Sequence, residues 1–405
     1  MHLAILTQYY PPEIGAPQRR LSHLAERFVQ AGHSVTVLAG MPNYPQGKIF
    51  PGYGGVFSRE QRENVSVLRT LTYPAQGVKF LPRLTSYFTF VVSSAFLGSA
   101  FLPAPDYLFV ESPPLFLGLS GYLLSRLKNA RMIFNVADLW PESAVRVGVL
   151  DRDSLAFRLS ERLERFCYRK SWLVTGQSKT ILQDVEQRFP GVRLFHLSNG
   201  VDTTLFRPEK ATLDARATMC RKGDFLAVYA GLHGLAQGLE QLLEAAEILQ
   251  PMGGFQVVLI GDGPQKAALQ AQASSRALSN VRFLDPQPSD EMPRLLASAD
   301  ALLVPLKGFI PGAVPSKLYE AMGCGRPVVL VAEGEAAEVV REANSGIVVQ
   351  PGDIQGIADA LRRLREESQL GAALGENGRN AVLDRFDRIR IAESFIQYLE
   401  AETAS

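Results

Sequence analysis

The sequence predicts an α/β protein built from two Rossmann-like, doubly wound domains, and three observations carry that reading. Short β-rich runs alternate with helix-length amphipathic segments, the pattern of βαβ units and parallel sheets. The alternation breaks at a polar, proline-punctuated stretch over residues 198–208 and restarts at Phe225. The chain has 405 residues; at roughly 150 residues per domain, that rules out one small module.

The elements follow in order. Leu3 to Thr7 reads as the first strand, Pro17 opens a helix with Leu21, Leu24, Ala25 and Phe28 on one face, and Gly32 ends it before a strand at Val35 to Leu38. Further strands are predicted at Val65 to Arg69, Tyr107 to Val110, Met132 to Val136, Leu173 to Gly176 and Leu194 to Leu197, separated by helices such as Ser154 to Tyr168. These fill a first domain, residues 1–203. The second, residues 204–387, has strands near Phe225 to Tyr229, Val257 to Ile260, Val281 to Leu284, Ala301 to Val304, Val328 to Val331 and Ile347 to Val349. After a break near Asp387, residues 388–405 hold a last helix.

Composition excludes several classes. Apolar residues at 46% and charged residues at 20% are globular values. Lys plus Arg numbers 42 against 41 acidic residues, which removes the basic footprint of a nucleic-acid binder. Cys167, Cys220 and Cys324 stand far apart without CxxC spacing, suiting a reducing cytoplasm. The five histidines lack ligand spacing, and Asp151-Arg152-Asp153, although a DxD, reads as a helix-capping turn, so no metal site is expected. The N-terminus lacks a signal-peptide pattern. Leu84 to Pro105 is uncharged and long enough to span a bilayer, but Ser86, Thr89 and Ser93 give it a polar face, as in a packed helix. The basic and aromatic run Gln76 to Arg83 just before it suits contact with an anionic membrane surface.

Chemistry is expected at the strand-to-helix turns, where glycine admits a phosphate and helix N-termini supply positive dipole. The first turn, Thr7 to Pro17, lacks GxGxxG, which disfavours a nicotinamide dehydrogenase, but puts the small Gly15 and Ala16 before a helix. In the second half, Gly231, His233, Gly234, Gln237 and Gly238 form a glycine loop, and Gly261-Asp262-Gly263-Pro264 a second tight turn. Both fit a diphosphate cradle, and both also fit plain turn chemistry. In Pro315-Ser316-Lys317-Leu318-Tyr319-Glu320, Ser316 reads as an N-cap. Lys317 then opposes the helix dipole, a costly placement unless an anion is expected, and Glu320 is placed to accept bonds from ribose hydroxyls or to close a capping box. Asp138 stands at a strand end beside Trp140, which can stack on a sugar; an Asp N-cap is the equal alternative.

Taken together, these motifs and the Glu320-Ala321-Met322-Gly323-Cys324-Gly325-Arg326-Pro327-Val328 run resemble a GT-B glycosyltransferase. More narrowly, the chain is similar to family 4 retaining enzymes of the bacterial branch that builds surface polysaccharides such as O-antigen, colanic acid and capsule. Asp138-Leu139-Trp140-Pro141-Glu142-Ser143 and Pro315 to Glu320 have close counterparts there. The resemblance implies two domains facing across a cleft, with the last helix crossing back to the first. The donor, a nucleotide sugar expected to be UDP-linked, falls to Gly231, His233, Gly234, Gln237, Gly261, Asp262, Gly263, Ser316 and Glu320. A lipid-linked glycan acceptor falls to Gly15, Ala16, Trp140 and Glu142, with Asp138 and Lys317 in catalytic roles and no metal or resident cofactor.

The chain also departs from the family pattern. Leu232 and Gln237 occupy the usual glycine-loop Arg and Lys positions, and Gly312 that of the first Glu in a Glu-x7-Glu pair. The electrostatic burden is thus expected to shift to Lys317, with Lys307, and to backbone donors. A nucleotide-sugar epimerase and an inactive nucleotide-sugar-binding subunit are the alternatives.

Overall fold

The computed structural model of the chain describes residues 1–44, 46–75, 80–146, 148 and 150–404. The Gln76 to Lys79 part of the basic and aromatic run lies outside the described residues. The chain divides into two compact units, Met1–Asn199 with Ile389–Ser405, and Gly200–Arg388. The boundary falls a few residues before the expected 203/204. Residues read as linker belong to the second unit because Val201 and Phe206 are buried in its core, beside Leu318 and Met322.

The first unit holds an eight-stranded sheet of β1 (His2–Thr7), β2 (Ser34–Gly40), β3 (Phe57–Arg62), β4 (Val65–Thr70), β5 (Tyr107–Ser112), β6 (Arg131–Val136), β7 (Leu173–Gly176) and β8 (Leu194–His196). Its order is β3-β4-β2-β1-β5-β6-β7-β8. All neighbours run parallel except β3 and β4. That hairpin was not expected from the sequence, because β3 reads FSREQR and buries no face. Its turn residues Glu63 and Asn64 both take positive φ, as a tight hairpin requires.

Around this sheet run α1 (Ala16–Gln30), α2 (Phe80–Phe101), α3 (Leu117–Lys128), α4 (Glu142–Arg146), α5 (Leu155–Lys170) and α6 (Lys179–Arg188). Strand side chains alternate between two cores. Ala4, Leu6, Leu38 and Phe134 pack with Phe90 and Leu124 of α2 and α3. Leu3, Ile5, Val37 and Phe109 pack with Leu21 and Phe28 of α1 on the other face. The α2 helix lies on the sheet through its small and polar side. Gln8 donates to Ser86 Oγ at 3.0 Å, Ser94 and Ser120 hydroxyls meet at 3.1 Å, and a methyl at Gly98 would stand 2.8 Å from Leu38.

The second unit holds six parallel strands, β9 (Phe225–Ala230), β10 (Phe255–Ile260), β11 (Val281–Leu284), β12 (Ala301–Pro305), β13 (Val328–Val331) and β14 (Gly346–Val349), in the order β11-β10-β9-β12-β13-β14. Its helices are α7 (Leu213–Ala217), α8 (Glu240–Leu249), α9 (Lys266–Ser275), α10 (Met292–Ala297), α11 (Ser316–Gly323), α12 (Glu335–Ala343), α13 (Ile354–Glu366) and α14 (Ser368–Ala381). Finally α15 (Arg388–Ala404) returns to the first unit. There Phe395 packs within 6.2 Å of the Phe28 and Phe109 rings and 5.2 Å of Phe195. In each sheet the strand order reverses at the unit's first strand, β1 or β9, so the loops after these strands sit at topological switch points.

Candidate functional site

In the second unit, β9 runs into Gly231, whose φ of 152° lies in glycine territory. A methyl there would stand 1.9 Å from Lys317 Cε and 2.6 Å from Nζ, so glycine at this position lets the lysine lie directly over the backbone. The α11 N-cap is Pro315, without a side-chain cap, which corrects Ser316 from cap to first helical residue. Lys317 is therefore still in the first turn, where the helix dipole repels it. It is half-buried, and among the described residues it has neither an ion pair nor a hydrogen bond. Glu320, three residues on, is also half-buried on this helix.

The two glycine turns are packed back to back. Gly231 N–H donates to Ile260 O, Gly261 N–H to Leu284 O, and His233 N–H to Asp262 O, while His233 O accepts from Gln265 N–H. A methyl at Gly261 would meet Gly231 O at 2.0 Å, and one at Gly263 would meet His233 O at 2.5 Å. Asp262 Oδ1 accepts from Gly263 N–H at 2.8 Å, and the Gln237 side-chain oxygen stands 2.6 Å from where a Gly234 methyl would lie. His233 takes part through its backbone. Its ring is fully buried between Tyr229 and Phe283, with both nitrogens unpartnered among the described residues, and burial together with Lys266 lowers its pKa, keeping it neutral. Lys307, expected to share the charge, is instead paired with Glu240 at 3.1 Å. Its N–H donates to Ala236 O, holding the far end of the loop.

The first unit's switch-point edge is built differently. Gly15 is extended, at φ 175°, and the Gln18 side chain lies over it, its Oε1 2.3 Å from where a methyl would stand. Ala16 beside it is exposed. Beneath them Arg20 pairs with Glu111, Asn135 donates to Glu111 at 2.8 Å, and Thr175 donates to Asn135 at 2.7 Å, a buried chain crossing β5, β6 and β7. Burial pushes the Glu111 carboxyl up, and Arg20 and Asn135 pull it back. Asp138 follows β6; burial raises its pKa against bonds from Ser143 and the Leu139 N–H.

Trp140 is half-buried against the core, its Nε1 unpartnered among the described residues, so it offers less ring surface than a stacking platform would. Glu142 pairs with Arg152. The Asp151-Arg152-Asp153 turn thus supplies a cation, and Ser154, not an aspartate, caps α5 by accepting from Phe157 N–H at 3.1 Å.

Two residues that sequence reasoning missed shape this edge. Arg69, fully buried, donates to the carbonyls of Gly40, Tyr10 and Pro11, and Glu13 accepts from the N–H groups of Tyr10, Asn43 and Tyr44. The signal was charge inside otherwise apolar runs, as with Arg69 in VSVLRT and Glu111 in YLFVES.

Comparisons agree with this fold. The family profile "Glycosyl transferases group 1" matches residues 214–381, and "Glycosyl transferase 4-like domain" matches residues 15–200. The chain is 25% identical over 367 residues to the putative colanic acid biosynthesis glycosyl transferase WcaI of Escherichia coli K12, covering 87% of this chain and 89% of that protein. It is 32% identical over 208 residues to a GDP-mannose-dependent phosphatidylinositol monomannoside mannosyltransferase of Mycolicibacterium smegmatis, covering 49% of this chain and 53% of that one. Among solved structures, sucrose-phosphate synthase from Thermosynechococcus elongatus superposes with a TM-score of 0.78 at 19% identity, each chain fully covered. WaaG, a glycosyltransferase of lipopolysaccharide biosynthesis, gives 0.70 at 18% over 97% of this chain and 98% of its own.

Two Rossmann-like units, each matched by a glycosyl transferase profile and together superposing on glycosyltransferase structures, make the chain a glycosyltransferase of the GT-B fold. Its second unit carries a group 1 glycosyl transferase domain and its first a glycosyl transferase 4-like domain, and the chain is an enzyme of the hexosyltransferase class.

Proposed function

We propose that the chain is a retaining glycosyltransferase of bacterial surface-polysaccharide biosynthesis. It moves a sugar, an N-acetylated amino sugar, from a UDP-linked donor to a lipid-linked oligosaccharide at the cytoplasmic face of the membrane. One observation carries the reading: the Lys317 ammonium, without a partner among the described residues, lies over Gly231 at the N-terminus of α11 and beside the Gly261-Asp262-Gly263 turn. A leaving nucleoside diphosphate gathers negative charge as the glycosidic bond breaks, and a cation already held in place stabilises it without reorganising. The reading calls on no metal, since Lys317, the helix N-terminus and backbone N–H groups supply the positive charge. In a front-face reaction the acceptor hydroxyl gives its proton to the departing phosphate. Glu320 holds the ribose and Asp138 positions the sugar or acceptor.

The E. coli relative named for colanic acid biosynthesis supports the pathway class, and Anabaena HepE, solved with UDP at 18% identity and a TM-score of 0.74, supports the base. The GDP-mannose-dependent relative favours a second reading, a GDP-linked donor on the same site. A thermal-shift panel of UDP, GDP, ADP and NAD, run before and after Glu320→Ala, tests both. At 100 times its dissociation constant a ligand adds about 2.7 kcal/mol, enough for a melting shift of several degrees. A UDP-selective shift lost in the variant supports the proposal. A GDP-selective one moves the donor to the second reading, and an NAD shift, or none, rejects both. Donor turnover without acceptor would mark an epimerase, and binding without transfer an inactive subunit.

A further inference from the structure

The outward side of α2 and α3 carries two apolar stripes that no element among the described residues covers. On α2 they are Phe88, Val92 and Phe96; on α3, Leu119, Leu123 and Leu127, each set spaced four residues apart and exposed, Phe96 to 76%. Both helices already have an inner side that satisfies them. Phe90 and Leu124 fill the core, and Ser93 donates to Leu71 O at 2.6 Å. A methyl at Gly121 would stand 2.5 Å from Val110, so α3 is seated tightly on its strand. The stripes are therefore surplus to folding.

Charge says what covers them. Neither α2 nor α3 contains an acidic residue. Next to α3, with Tyr122 and Phe166 rings 5.0 Å apart, α5 exposes Arg158, Arg162 and Arg165. Across the three helices stand eight cationic residues and two acidic ones, and one of the two, Glu164, is buried against Arg188. The whole chain carries a net charge of only +1, so positive charge is gathered at this layer. A second copy would bring the same arginines against themselves. An anionic bilayer offers apolar depth for the stripes and phosphates for the arginines.

We propose that the α2–α3 face, rimmed by the α5 arginines, docks the first unit on an anionic lipid surface. The helices lie in the interface: α2 is long and apolar enough to cross a membrane, but its serines are bonded to the unit beneath, Ser86 to Gln8 after β1, Ser93 to Thr70 of β4 and Ser94 to Ser120 of α3. The proposal rests on the lipid-linked acceptor reading for its purpose and assigns the contact to the exposed stripes and the α5 arginines rather than to the Gln76 to Arg83 run.

The test is flotation of the full chain with vesicles of phosphatidylethanolamine and phosphatidylglycerol, against phosphatidylcholine alone, at low and high salt. The parent chain is expected to float with the anionic vesicles and to release as salt rises. Val92→Ser/Phe96→Ser/Leu123→Ser is expected to cut the floated fraction about tenfold at every salt concentration where the parent floats, and Arg158→Glu/Arg162→Glu about tenfold at low salt. Both should keep the parent melting temperature and nucleotide shift, which excludes misfolding. A parent chain that stays at the bottom with anionic vesicles, or a triple variant that floats as well as the parent, overturns the proposal. So does concentration-dependent dimerisation abolished by the triple variant without flotation, which would put a second copy on the face. Absent flotation with an intact nucleotide shift leaves the proposed function standing; flotation without any nucleotide shift rejects that function and leaves the docking face.

Discussion

The two switch-point edges solve opposite problems with the same kind of sheet. At the first unit's edge, charge is matched internally: Arg20 has Glu111, Arg69 has Glu60 and three carbonyls, and Glu142 has Arg152. At the second unit's edge, backbone is packed against backbone through glycines, and Lys317 is left without a partner among the described residues. A self-satisfied edge holds a shape, whereas an edge with an unanswered cation waits for the anion that completes it. The contrast predicts that mutations of the matched charges at the first edge act on stability, and those at the second on turnover and affinity.

The largest effect is expected from Glu111→Ala, which strands a buried arginine and should cost about 3–5 kcal/mol in urea unfolding. A loss under about 1 kcal/mol would show that the first edge is not internally wired. Lys317→Ala should lower turnover about 100- to 1000-fold, with a small change in nucleotide affinity and an unaltered melting temperature; unchanged turnover would end its role on the leaving group. Glu320→Ala should weaken nucleotide binding by about 1.5–3 kcal/mol, read by calorimetry, and equal affinity would remove it from the ribose.

The smallest effect tests where Asp138 belongs. Burial raises its carboxyl above the ordinary 3.8, so the folded chain holds that proton more tightly than the unfolded chain. Its stabilising contribution is full below 3.8 and is lost as pH rises through the folded value. Asp138→Asn should therefore melt no lower than the parent at pH 8 while transfer falls. A variant that melts several degrees lower there and still transfers sugar would place Asp138 with the structural caps.

The strands were legible because a parallel sheet covered on both faces needs continuous apolar runs. The β3 strand was not, since an edge strand with polar FSREQR earns its place by pairing with β4. The glycine turns and α11 could be named one by one from the sequence. Their juxtaposition could not, because Gly231 and Lys317 meet only through the β9–β12 crossover. Ser316 was misplaced by one residue because an extended Pro315 already serves as the helix boundary. Charge balance was the least legible feature: Lys307 and Glu142 look available in sequence and are paired in space.

The return of α15 gives the chain an order of manufacture. Phe395, Ile396 and Leu399 close the core of the first unit, yet they leave the ribosome only after the whole second unit. The Gly200–Arg388 unit is complete before they emerge. The half of the protein that is synthesised first is thus the half that finishes folding last, holding Phe28, Phe109 and Phe195 open until its final helix arrives.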